Sequence, residues 1–318
     1  MVISAPLYEF HRLPSFDFPE AGPEADLPAA DAVAWRITGF GVQDGERWED
    51  AFARFCSRVD TARVRALIVG DWDGAYQSRP DEVVGLLVAA RDRFPALRAL
   101  FLGDLTFEQC EISWIQQTDV TPLLDAYPAL EEFGVRGGDG LDWKVARHEG
   151  LRRLAFESGG LPARVVRGVG ASELPALEHL DMWLGTPDYG GDSEASDAVG
   201  ILSGTRLPRL RHLALRNSEI QDDLAKAVAG APVVARLEVL DLSMGTLGDE
   251  GAAALLDGQP LTHLKKLDLH HHYIGERLLE RIRATVAAAG TEVDLDGGDA
   301  DEDEDEDGTV YRYVAVGE

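Results

Sequence analysis

The apolar positions of this chain recur in one short template. Residues 97–102 read LRALFL, 151–156 LRRLAF, 177–182 LEHLDM, 210–215 LRHLAL, 237–242 LEVLDL and 264–269 LKKLDL. Residues 130–135 (LEEFGV) and, more weakly, 64–69 (VRALIV) fit it too. Each copy is an apolar residue, two variable ones, an apolar one, a variable one and an apolar one. Such alternation predicts a short strand with one buried face. The copies start at Val64, Leu97, Leu130, Leu151, Leu177, Leu210, Leu237 and Leu264, at intervals of 33, 33, 21, 26, 33, 27 and 27. Between them the pattern turns helical, over 81–94, 222–229, 249–256 and 276–288. Asp249 opens one such segment, where the helix macrodipole favours an acid. Gly230, Gly258 and Gly290 follow such segments and suit helix C-caps. One strand with one helix cannot bury its apolar stripe alone, so the units stack side by side.

The period resembles that of the leucine-rich repeat family. Residues 237–256, LEVLDLSMGTLGDEGAAALL, are similar to the ribonuclease-inhibitor type of repeat. The resemblance covers residues 60–290 and implies an α/β horseshoe solenoid, with a parallel sheet on the concave face and helices on the convex face. It also implies that a protein is bound on the concave face. The chain departs from the family where Ser218, Gly245 and His272 replace the usual Asn after the strand. Around the repeats, residues 1–59 read as a cap, with a first strand at 32–38 and a first helix at 48–59. Residues 291–318 read as a second cap, with strands at 292–295 and 309–316. The acidic run between them predicts a disordered loop at 297–308, because like charges at this density resist compaction.

Side chains between the apolar positions of the template point away from the helices. That places Glu132 and Arg136, Arg153, His179, Asp181 and Trp183, His212 and Arg216, Asp241, and Asp268 and His270 on the concave face. Neighbouring strands lie about 4.8 Å apart. His179 is therefore expected beside His212 with Asp181 close by, which makes these three the candidate metal ligands. Asp241 is expected beside Asp268, near His270. The triplet His270–His272 is split by the same logic: His270 on the face, His271 at the rim, His272 in the turn. Adjacent positions do not converge on a metal. Loops 71–79 and 185–193 are expected to bring Trp72 and Tyr189 to the rim, with Tyr76 and Trp114 nearby. Trp183 and Arg216 are natural anchors for a partner, since Trp and Arg dominate hot spots.

Charge narrows the partner. The formal net charge is −27, and eight of those charges sit in the run 299–307, so the body is strongly acidic as well. This disfavours nucleic acid and anionic membranes, and favours a basic protein or peptide. A basic leader followed by an apolar run is missing, and no apolar stretch reaches the length of a membrane span. Two cysteines far apart, Cys56 and Cys110, suit a reduced cytoplasmic protein. The sequence holds no phosphate loop, HExxH, GxSxG or paired-cysteine motif, so neither catalysis nor a cofactor is expected. The expected function is a non-catalytic intracellular protein-binding or scaffold module using the concave face and its edge loops. The alternative is a small-ligand or metal-binding accessory protein working with a separate enzyme, motivated by the cluster His179, Asp181, His212, Asp241, Asp268 and His270.

Overall fold

Leu67, Leu100, Phe133, Leu154, Leu180, Leu213, Leu240 and Leu267 stand in register on eight neighbouring parallel strands. All are buried in one core that also takes the apolar faces of the helices. The computed structural model describes residues 5–22, 26–39, 45–298, 300, 302–305 and 307–317. In chain order the elements begin with β1 (Glu9–Phe10), β2 (Leu13–Asp17), β3 (Ala34–Ile37), α1 (Trp48–Arg58), β4 (Ala66–Val69), α2 (Asp81–Ala89) and β5 (Ala99–Leu102). They continue with α3 (Thr121–Ala126), β6 (Glu132–Arg136), β7 (Arg153–Glu157), α4 (Ala163–Ala171), β8 (His179–Gly185), α5 (Val199–Ser203), β9 (His212–Ser218) and α6 (Gln221–Ala229). The last are β10 (Val239–Asp241), α7 (Asp249–Asp257), β11 (Lys266–Asp268), α8 (Glu276–Thr285), β12 (Glu292–Asp294), β13 (Glu302–Glu304) and β14 (Val310–Arg312).

β1 to β12 form one sheet in chain order, parallel except for the β1–β2 hairpin. The result is a mixed α/β fold with a long, mostly parallel sheet and eight α-helices among the described residues. This arrangement fits a leucine-rich-repeat-like solenoid. Among the described residues, no helix is long and apolar enough to cross a membrane.

Both ends differ from the sequence expectation. The strand at 32–38 is the third in the sheet, not the first, because Leu13–Asp17 pairs with it in parallel. The aromatic rings of Phe16 and Phe18 meet the Trp35 indole edge-on, which fixes that register. At the other end, only Val310–Arg312 of the stretch 309–316 is a strand. It pairs antiparallel with Glu302–Glu304, outside the main sheet. Glu302–Glu304, within the run 297–308 expected as a disordered loop, thus form one strand of a hairpin; residues 299, 301 and 306 lie outside the described residues. Its polar side chains bond across the hairpin: Arg312 donates to Glu302, and the Tyr313 hydroxyl to Asp303.

The face opposite the helices is partly covered by the chain itself. Ala34, Ala66 and Ala99 are in register there, and their small side chains leave room for the first hairpin. Phe10 packs on it with its ring edge-on to Phe101, centroids 5.9 Å apart. A buried carboxylate latches the hairpin's leading segment. Asp104, whose side chain is 0% exposed, accepts from the Leu7 amide, from Arg36 Nε at 2.7 Å and from Arg136 Nη1 at 3.3 Å.

Candidate functional site

Beyond the hairpin the open face changes character. From β6 onward its first outward column reads Glu132, Arg153, His179, His212 in register. A groove of about 730 Å³ opens here, between the hairpin edge and strands β6 to β8. Gly134 and Ala155 form its floor, and Phe10 and Phe101 one wall. His11, at the hairpin turn, shares a hydrogen bond with Glu132 at 3.0 Å. Arg12, Arg65 and Arg153 reach the groove with exposed side chains, and among the described residues none of the three forms an ion pair. Its glutamates are largely engaged: Glu132 with His11, Glu157 with Arg136, Glu178 with Arg152.

His179 and His212 line up as the template requires, and their rings stack with centroids 3.8 Å apart. Burial pushes both imidazoles below their ordinary value, and His179 adds to the effect on His212, which falls to about 4. The pair is therefore neutral at pH 7. The folded-state value of His212 lies below its unfolded value, so the pair's contribution is complete above about pH 6.5. It is lost as the pH falls toward 4. Allowing for partial exposure, we expect about 2 kcal/mol of stability to vanish across that window. Urea melts from pH 7 to 4 should show this loss in the wild type and a flatter profile in His212→Gln; parallel profiles would refute it.

The next outward column carries Asp181, Ala214, Asp241, Asp268 and Asp294 on adjacent strands. Arg216 bridges the small Ala214. It donates to both Asp181 oxygens at 2.9 and 2.6 Å and lies 3.6 Å from Asp241. Burial disfavours its charge, but the two carboxylates outweigh that and hold it protonated. Burial raises Asp241, whose carboxylate also accepts from Ser243 Oγ at 2.6 Å. Burial also pushes Asp268 up, yet hydrogen bonds from His270 at 2.7 Å and Lys266 at 2.8 Å bring it well below the usual carboxylate range. His270 is raised in return by that bond.

The expected metal set of His179, Asp181 and His212 does not converge. The two rings face each other, and Asp181 is taken by Arg216. Among the described residues, the side chains that could share an ion are Asp268, His270 and Asp294, whose donor atoms lie within 4.8 Å of one another. Against this, the Lys266 ammonium already occupies Asp268. The histidine triplet is split as expected: His270 meets Asp268, His271 the Tyr313 carbonyl, and His272 the Leu295 carbonyl.

No family model matches the chain, and no curated protein matches it. A crystal structure of a Bacteroides fragilis protein, solved as a structural genomics target, is similar. The two align with a TM-score of 0.71 and 28% identity, over 78% of this chain and 70% of that one. The likeness supports the long repeat-like sheet.

Four residues expected on the docking surface are buried: Trp72, Arg136, Asp241 and Asp268, the last two each 6% exposed. Arg136 is only 4% exposed, because it turns under the first hairpin's leading segment to reach Asp104, Glu157 and the Leu105 carbonyl. Trp72 is buried with its indole N–H donating to the Ser78 carbonyl. Tyr189 sits half-buried in a single 3-10 turn, Pro187–Tyr189. Tyr76 and Trp114 do stand exposed, rings 5.8 Å apart. Trp183 lies under Arg216, which is 5.1 Å from its ring, and packs against the cluster of Ile112, Met244 and Val316. The segment 313–317 on this face was not foreseen. The covering hairpin left a signal: Ala66, Ile68, Ala99 and Phe101 are apolar at outward positions, which an open face does not require.

Proposed function

We propose that this chain is a non-catalytic module that binds a protein or peptide on its open sheet face. On this reading the fold is a ribonuclease-inhibitor-like leucine-rich repeat horseshoe whose sheet lines the concave side. The equal spacing of the last strands and the Asp249–Asp257 helix that follows a strand and turn support that assignment. The observation that carries the function is the groove over Gly134 and Ala155, rimmed by three exposed arginines that form no ion pair among the described residues. The other polar groups of the face are engaged with each other, which argues against acid–base chemistry there. The acidic body would draw a basic partner by long-range attraction, while the groove would receive an acidic side chain at contact. Burial raises both thiols, Cys110 to about 11, so two inert cysteines suit a cytoplasmic setting.

The alternative, a metal-binding accessory protein, rests on Asp268, His270 and Asp294. It is the weaker reading, since Lys266 competes for the same carboxylate. Cross-linking of the full chain in lysate, read by mass spectrometry, tests the first. Arg153→Glu is expected to reduce partner yield at least tenfold, while Arg277→Glu on α8, on the helix side, leaves it unchanged. Equal retention by both variants would refute docking in the groove.

A further inference from the structure

The turns after β9, β10 and β11 share an unusual backbone. Asn217, Met244 and His271 each fall five residues after the in-register trio His212, Val239 and Lys266. All three adopt left-handed φ angles, 52°, 65° and 54°. That conformation is costly for residues other than glycine, and such strain collects where a site needs it. All three residues grip one passing segment. The Asn217 side chain pairs with Val316 as a second backbone would: its Nδ2 donates to the Val316 carbonyl at 2.7 Å, and its Oδ1 accepts from the Val316 amide at 2.9 Å. The Met244 carbonyl accepts from the Ala315 amide at 2.8 Å. A ring nitrogen of His271 meets the Tyr313 carbonyl at 3.0 Å.

The segment 313–317 therefore crosses three repeats, with a bend at Ala315. Its anchor is Val316, 1% exposed, in a pocket made by Ile112, Met244 and Trp183. Beyond it the Ser113 hydroxyl donates to the Gly317 carbonyl. Gly159 has no room for a Cβ, which would overlap both of those groups. The pocket holds a small aliphatic side chain, and the backbone contacts read chain direction rather than sequence. The Tyr273 hydroxyl adds a further hold, donating to the Tyr313 carbonyl at 2.9 Å and accepting from the Tyr313 amide at 3.0 Å, while most of the described residues of 302–312 before it are exposed.

We propose that Asn217, Met244 and His271, with the Ile112–Trp183 pocket, form a recognition cleft for a short peptide segment, and that residues 313–317 are its intramolecular occupant. The partner it fits carries a β-branched aliphatic residue where Val316 sits, with small residues beside it. A partner segment replaces the strap and reaches Trp183 and Arg216 beneath. This deepens the peptide-binding reading, yet it is measured at a different surface from Arg153, so either can fail alone.

The test uses the full chain. Val316→Asp places a carboxylate in an apolar pocket and expels the strap. The fluorescent acetylated peptide Tyr-Val-Ala-Val-Gly-amide is expected to bind this variant at least tenfold more tightly than the wild type, where the tethered strap competes. Adding Asn217→Ala should abolish that binding. A folded Val316→Asp chain that fails to bind the peptide would overturn the proposal, as would wild-type dimers formed by exchanged straps. Should Val316→Asp not fold, hydrogen exchange of the wild type decides. The Ala315 and Val316 amides should exchange at least 100-fold faster than that of Leu215 in β9; protection equal to the sheet would make the strap a fixed part of the fold.

Discussion

Replacing Asp104 with asparagine should cost about 3 kcal/mol of stability and loosen the first hairpin from the sheet. The substitution keeps the size of the side chain and removes its charge. Arg36 and Arg136 then face a neutral amide inside a buried site. Breaking one member of such a network leaves an uncompensated charge, which is why the cost exceeds that of a surface pair. Arg36 retains Asp17, and Arg136 retains Glu157, so the loss falls at the lower end of the range. Urea unfolding should show a lower midpoint, and Asp104→Asn combined with Arg136→Gln should cost less than the two singles together. A change below about 1 kcal/mol, or strict additivity, would mean that the latch is not coupled.

Leu213→Ala should destabilise the chain by about 3–4 kcal/mol. Leu213 has no exposed surface and stands between Leu180 and Leu240 in the middle of the leucine row. Truncation loses its transfer energy and leaves a cavity that the in-register neighbours on both sides cannot close without shifting. Leu86→Ala, at a partly buried position on α2, is the control and should cost no more than about 1 kcal/mol. Similar small losses for both, measured by denaturant melts, would contradict the inward orientation of Leu213 and with it the outward orientation of His212.

The repeated strands were readable in the sequence because their buried face has a strict period, and period survives any change of surface residue. His179 beside His212 and Asp241 beside Asp268 follow from that period alone. Helix α4 was missed. Its sequence, ARVVRGVGA, holds two glycines, which read as helix breakers. Gly168 is there because a Cβ would collide with the Trp143 carbonyl, a contact from a distant part of the chain. Local propensity cannot report such a constraint. The same reason explains Arg136. Its place in the template puts it on the open face, correctly, but nothing local says that Asp104 and the leading segment lie over it. The candidate site was legible as columns of residues. It was not legible as which members are covered, since both coverings come from the ends of the described chain.

The latch and the strap also set an order of assembly. Successive strands in the later repeats join partners 27 residues apart, so the sheet can grow by short closures. Asn217 meets Val316 across 99 residues, Arg136 meets Ala5 across 131, and Ser113 meets Gly317 across 204. These distant contacts need a finished row of strands to land on. Until they form, Phe101 and Met244 lie bare to water, and the partly folded chain is at its stickiest just before these two coverings close.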